Sequence, residues 1–194
     1  MTDLIRCDWA NSNALMVDYH DREWGTPTRD DRLLFEHLVL EAAQAGLSWS
    51  TVLNKRAAYR VAFDAFDPIL VAEYDDAKIA ELLANPGIIR NRLKIKATVA
   101  NARAFLRIQA EVGSFADYLW RYVDGKPIRN RPTTLADLPA KSALSDTLSK
   151  DLKSRGFSFV GSTSMYAFLQ AVGVIDDHIA ECFRADPTPR PSPF

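Results

Sequence analysis

Cysteine and histidine are scarce in this chain, two of the first and three of the second among 194 residues. Two cysteines exclude a disulfide-stapled scaffold. A chain of this length has no need of one, since it can bury roughly 70% of the surface that its unfolded form exposes. The start, "MTDLIRCDWANSN", lacks the apolar core of an export signal, and no run of about 18 apolar residues occurs that could span a membrane. A soluble, cytoplasmic protein with unpaired thiols is therefore expected. An excess of one charge is also missing. Lys and Arg number 24 against 25 Asp and Glu, so any nucleic-acid footprint has to be local. Sustained period-two alternation and internal repeats are absent as well, which removes sheet-dominated and solenoid architectures. At 47% hydrophobic and 25% charged the composition is that of a folded globule, not a disordered chain. A single domain over 1–186 is expected, followed by a mobile Pro-rich tail over 187–194, within "ADPTPRPSPF".

What is present is helical periodicity almost throughout, and the fold class expected is all-α. "RDDRLLFEHLVLEAAQAG" carries Leu33, Leu34, Leu38 and Ala42 at helical spacing, with Asp30 or Asp31 as cap and Gly46 as stop. "LSWSTVLNKRAAYRVAFDAF" predicts a second helix from Ser48, and "DDAKIAELLA" a short one that "NPG" ends. "KIKATVANARAFLRIQAEV", "SFADYLWRYV", "SALSDTLSKDLKSRG" and "STSMYAFLQAVGV" predict four more, and "DDHIAECFRA" a last one. "DGKPIRNRPTTLADLPAKS", with three prolines and a glycine, reads as a long loop with a short helical turn.

The few Cys and His residues are grouped. His178 and Cys182 are four apart, which on a helix puts imidazole and thiolate on one face. Cys7 and His20 can supply two further corners of a tetrahedron. A Cys2His2 set suits a structural zinc, because N and S ligands fill all four positions. It would clip the N-terminal segment to the last helix. The pair is equally open to a plainer reading, in which Cys182 is a small buried hydrophobe.

Two other stretches carry chemistry. From Gly87 to Ala110 there are six basic residues, Arg90, Arg92, Lys94, Lys96, Arg103 and Arg107, and no acid. A helix that ends at Pro86–Gly87, a turn, and a basic helix form a helix-hairpin-helix outline. Its backbone N–H groups and Arg and Lys side chains could bind phosphate, although a charge run is more often a solvated face. In "LEAAQAGLSW", Glu41 sits near the end of an apolar helix, where a carboxylate is costly to bury alone. Gln44, Gly46 and Trp49 follow, and Trp9, Tyr19 and Trp24 lie in the N-terminal segment. Stacking rings around one acceptor carboxylate would suit an extruded purine. Plain core packing for the rings and a solvent-facing Glu41 is the competing reading.

Taken in order, "CDW", "YHDREWG", "LFEHLVLEAAQAGLSWSTVLNKR", "GIIRNRLKI", "RGFSFVGST" and "DDHIAECF" resemble the 3-methyladenine DNA glycosylase I family, from about Cys7 to Cys182. The resemblance implies a helix-hairpin-helix DNA-repair fold and one structural zinc on Cys7, His20, His178 and Cys182. It implies a base pocket in which Glu41 accepts hydrogen bonds from the adenine edge. Tyr19 and Trp49 match pocket positions, and Trp9, Trp24 and Met16 are expected in its wall. The family can carry a second tyrosine where this chain has Met16 in "ALMVDYH". Methionine can line a wall but cannot donate a hydrogen bond. The implied partner is double-stranded DNA containing alkylated adenine, gripped by the Gly87 turn, Arg90, Arg92 and Lys94, with no membrane or protein partner. The implied reaction is hydrolysis of the N-glycosidic bond of N3-methyladenine without strand cleavage. Two rivals stand beside it: a damage-binding module with a decayed pocket, and a thiol or metal enzyme that never meets nucleic acid.

Overall fold

The computed structural model describes residues 4–185, so the stretch expected to be a tail, 187–194, lies outside the described residues. A 3₁₀ turn, Asp8–Ser12, leads into α1 (Ala14–Arg22). Then come α2 (Asp31–Gln44), α3 (Trp49–Leu53), α4 (Arg56–Ala62), α5 (Pro68–Ala72), α6 (Asp76–Ala84), α7 (Arg92–Val112) and α8 (Phe115–Trp120). β1 (Ile128–Arg129), α9 (Ala143–Ser154), α10 (Ser162–Ala171) and β2 (Ile175–Asp176) complete the order. The all-α expectation holds: β1 and β2 pair in parallel over two residues each, and the described residues contain no larger sheet. No helix among the described residues is long and apolar enough to cross a membrane.

α2 is the axis of the molecule. The Asp30 carboxylate accepts from the N–H groups of Arg32 and Leu33, satisfying two donors that a helix start leaves over. Beyond that cap, ten consecutive residues from Leu34 to Ala43 are buried, so the helix is covered on every side. Phe35 meets Phe105 of α7 edge-on, and Phe105 stacks on Phe115 with ring centres 4.2 Å apart. Asp31 accepts from Gln109 Nε2 and from the N–H groups of Phe115 and Ala116, which fastens the start of α2 to the α7–α8 corner. α10 packs on α2 and on α9, and α5 and α6 pack on α7.

Three local expectations are corrected. The single helix expected over 48–66 is broken into α3, α4 and a turn in which Asp64, Ala65 and Phe66 all have positive φ. The helix expected over "DDHIAECFRA" does not form. Its backbone pairs instead with the long loop: Asn130 N–H donates to Asp176 O, and Ala180 N–H donates to Pro132 O. The same loop carries β1, which period-two patterning could not show because two residues make no pattern. The helical turn expected within it is present at Leu135–Asp137.

Candidate base pocket and metal centre

A covered central helix forces its polar residues into the interior, and α2 carries three: Glu36, His37 and Glu41. Glu36 is met by Arg56 Nε at 2.5 Å and by Arg60 Nη2 at 3.0 Å. His37 stays neutral, since burial and then Arg56 and Arg60 push it down to about 3. Glu41 is treated differently. It is buried, its Oε2 has no hydrogen-bond partner, and burial alone raises its carboxyl to about 8.

Glu41 lies in the wall of a cavity of about 280 Å³. Trp9, Tyr19, Trp24 and Trp49 form its rings, with Met16 and Gln44 between them. The ring centres of Tyr19 and Trp49 are 5.1 Å apart, and those of Trp9 and Trp24 are also 5.1 Å apart. Burial and the nearby carboxylates of Glu41 and Glu23 hold the Tyr19 phenol far above its ordinary range, so it stays protonated. Trp49 Nε1 is buried and has no acceptor. Two residues of the cavity wall thus carry an unsatisfied polar atom, Glu41 a carboxylate oxygen and Trp49 an N–H. Groups left unpaired in this way cost free energy until a ligand meets them. Every residue expected in the base pocket is in this wall. Leu135, Leu138, Ala167 and Gln170 are also there and were not anticipated. The two leucines come from the irregular loop, where no periodicity marks a facing residue. Gln170 could have been noticed as the one amide in the apolar run "MYAFLQAVGV".

The Cys and His residues do converge. Cys7, which caps the start of the 3₁₀ turn, His20, on α1, and Cys182, after β2, bring ligand atoms within 4.8 Å of one another. His178 is outside that group of three, but its ring centre lies 5.0 Å from that of His20 and its buried Nε2 has no partner. Each imidazole is turned by a carboxylate on its Nδ1: Asp21 at 2.8 Å for His20, and Asp176 at 2.7 Å for His178. Arg6 holds Asp21 and Arg131 holds Asp176, both at 2.8 Å. Carboxylates on Nδ1 leave Nε2 as the ligating atom. Both cysteines are unbridged. Cys182 is pulled down by its hydrogen bond with Cys7, and Cys7 is pushed up by the same bond. The donor set, two sulfurs and two Nε2 atoms with the rings already turned, fits a closed four-coordinate zinc site. His178 is four residues from Cys182, as in the sequence reading, but a turn rather than a helix sets their spacing.

The basic stretch forms the tight turn after α6 and most of α7. Asn85 Oδ1 accepts from Gly87 N–H at 2.8 Å, and Lys55 Nζ donates to Pro86 O at 3.0 Å. Asn91 then caps α7 by accepting from the N–H groups of Leu93 and Lys94. Arg90, Arg92 and Lys96 are exposed. Lys94 Nζ instead donates to the carbonyls of Ala43 and Ala45 at 2.8 and 2.7 Å, Arg103 donates to Ala72 O, and Arg107 to Arg155 O. Half of the six cations thus spend donors inside the protein.

A model of the methyladenine glycosylase family matches residues 9–185. DNA-3-methyladenine glycosylase 1 of Escherichia coli is 46% identical over 177 residues, covering 91% of this chain and 95% of the relative. Two solved structures superpose with a TM-score of 0.91 at 37% identity. One, from Staphylococcus aureus, describes 3-methyladenine recognition by 3-methyladenine DNA glycosylase I and is covered over 98% of its length, against 95% of this chain. The other, a Tyr-to-Phe variant in complex with 3-methyladenine, is covered over 99% of its length, again against 95% of this chain. Matched along nearly its whole length in sequence and in fold, this chain belongs to the methyladenine glycosylase family.

Proposed function

We propose that this chain excises N3-methyladenine from alkylated double-stranded DNA, as a monofunctional glycosylase of base-excision repair. The observation that carries the reading is buried Glu41, one carboxylate oxygen unpartnered, in the wall of a ring-lined cavity. Methylation at N3 leaves the base cationic, so it departs as a neutral molecule when its bond to C1′ breaks. Positive charge moves to the sugar, and water adds at C1′. Once the nucleotide is turned out of the duplex, Tyr19 and Trp49 stack on the base and orient it. Glu41, ionised by the arriving cation, accepts from the amino edge and favours the charged lesion over neutral adenine. No lysine lines the cavity, which supports hydrolysis without an enzyme-bound sugar and without strand cleavage.

Arg90 and Arg92 act as the phosphate grip of a helix-hairpin-helix element, whose Gly87 N–H is spent inside the turn on Asn85. Lys94 holds the start of α7 against the end of α2. Cys7, His20, His178 and Cys182 hold a structural zinc, whose chemistry here is to tie the two ends of the chain together. The substrate places the enzyme in the cytoplasm with the chromosome. Incubation of methylated duplex DNA with the protein, followed by chromatography of the released bases, tests the reading. Free 3-methyladenine with intact strands is expected. Binding of such DNA without release of base would make the chain a damage-binding module instead.

A further inference from the structure

Gln170 lines the base cavity from α10, and its amide is not free to turn. Its Nε2 donates to Asp177 Oδ2 at 2.7 Å. Asp177 is fully buried and takes two more donors, the Tyr166 hydroxyl on the same oxygen and Asn130 Nδ2 on the other, both at 2.6 Å. A carboxylate accepts, whereas a primary amide has one donating and one accepting end. The bond to Asp177 therefore decides which end of Gln170 is left over. It is Oε1, to which no described residue donates.

We propose that Asp177 and Gln170 are a selectivity pair for the purine 6-position. Asp177 is the positioning residue, and the Gln170 carbonyl oxygen is the group that meets the base. The inference rests on the glycosylase reading of the cavity and adds which base edge it selects. Adenine carries an amino group at position 6, with two hydrogens to donate. Glu41 and Gln170 oxygens in one cavity can accept both. Guanine carries a carbonyl there, which two acceptors repel and leave unpaired. A freely turning glutamine would remove the distinction by offering its N–H to that carbonyl. Asp177, held by three donors from the loop and α10, denies it that turn.

The test uses the full chain and duplex DNA methylated to contain both 3-methyladenine and 3-methylguanine, with initial release rates of each base read by chromatography and mass detection. The wild-type chain should favour 3-methyladenine. Gln170→Met, which keeps the length but loses the acceptor, should lower the ratio of the two rates roughly tenfold. Asp177→Asn, which frees the amide, should lower it mainly by raising 3-methylguanine release. Mere structural damage lowers both rates together and leaves the ratio fixed. Gln170→Met keeps the test open where Asp177→Asn fails to fold. A wild-type chain that releases neither base sinks the glycosylase reading and this inference with it. Release of 3-methyladenine with no preference over 3-methylguanine, or with the wild-type ratio in both variants, sinks this inference alone.

Discussion

Two glutamates lie one and a half turns apart on the same buried helix, and their environments separate their roles. Glu36 has guanidinium partners and serves the scaffold; Glu41 has none. The burial that lifts Glu41 to about 8 also makes it costly to the apo fold. The unfolded chain gives up this proton near 4.5, the folded chain near 8, so between those values the folded state binds more protons. Stability must then fall as pH rises through that window and level off above it. Replacement by glutamine removes the effect. The stability gain of Glu41→Gln over the parent should be about 3 kcal/mol larger at pH 8 than at pH 5, measured by urea unfolding. A gain that does not vary with pH would mean that Glu41 titrates normally. Activity should run the other way. The ionised form is the one that accepts from the base, so kcat/KM should climb with pH toward a plateau above about 8. Glu41→Gln should lower excision on the order of tenfold to a hundredfold, with duplex binding within a few-fold. The sequence offered Glu41 as an acid inside an apolar run, but which way it points depends on what covers α2, and that cover comes from α1, α3 and α10.

At the scale of elements, helices were legible where a full apolar stripe runs, as over α2 between Asp30 and Gly46, while the Asn91 cap that starts α7 at Arg92, two residues before Lys94, was not. They were illegible where distant partners settle the backbone. "DDHIAECF" has helical spacing, yet its two aspartates are drawn to Arg131, Asn130, Tyr166 and Gln170, and its carbonyls and N–H groups to the loop at 130–132. The hairpin was legible as an outline, but not the division of labour among its cations. Exposure leaves Arg90 and Arg92 available to phosphate. Each Ala replacement should weaken duplex binding and reduce the slope of log K against log salt by about 1. Lys94→Met should behave differently. It leaves the carbonyls of Ala43 and Ala45 without their donor, at a cost of about 1 to 3 kcal/mol in stability, and loosens the end of α2 that carries Glu41. Excision should fall while the salt slope stays at the parent value. A slope reduced as much as in Arg90→Ala would place Lys94 on the DNA instead.

Across the whole molecule, the first and last described segments meet at one point and that point touches the cavity. His20 lies 5.3 Å from Trp9 and His178 4.6 Å from Trp24, centre to centre, and both tryptophans are cavity walls. The chain ends therefore brace two of the cavity's four rings. The core beneath them is extensive and independent of the Cys and His cluster. Loss of zinc should then loosen the clamp without unfolding the domain, unlike a small zinc finger whose fold depends on its metal. The purified chain should carry one zinc. Cys182→Ser, or treatment with a chelator, should remove it and lower the unfolding midpoint by roughly 10 °C, the equivalent of about 3 kcal/mol for a chain of this size. With the braces gone, Trp9 and Trp24 should become more exposed, so tryptophan emission should shift to the red and affinity for free 3-methyladenine should drop. Duplex binding and its salt dependence, proposed above for Arg90 and Arg92, should stay unchanged. Emission and base affinity that survive complete metal loss would reduce the clamp to a tether at the chain ends with no hold on the rings.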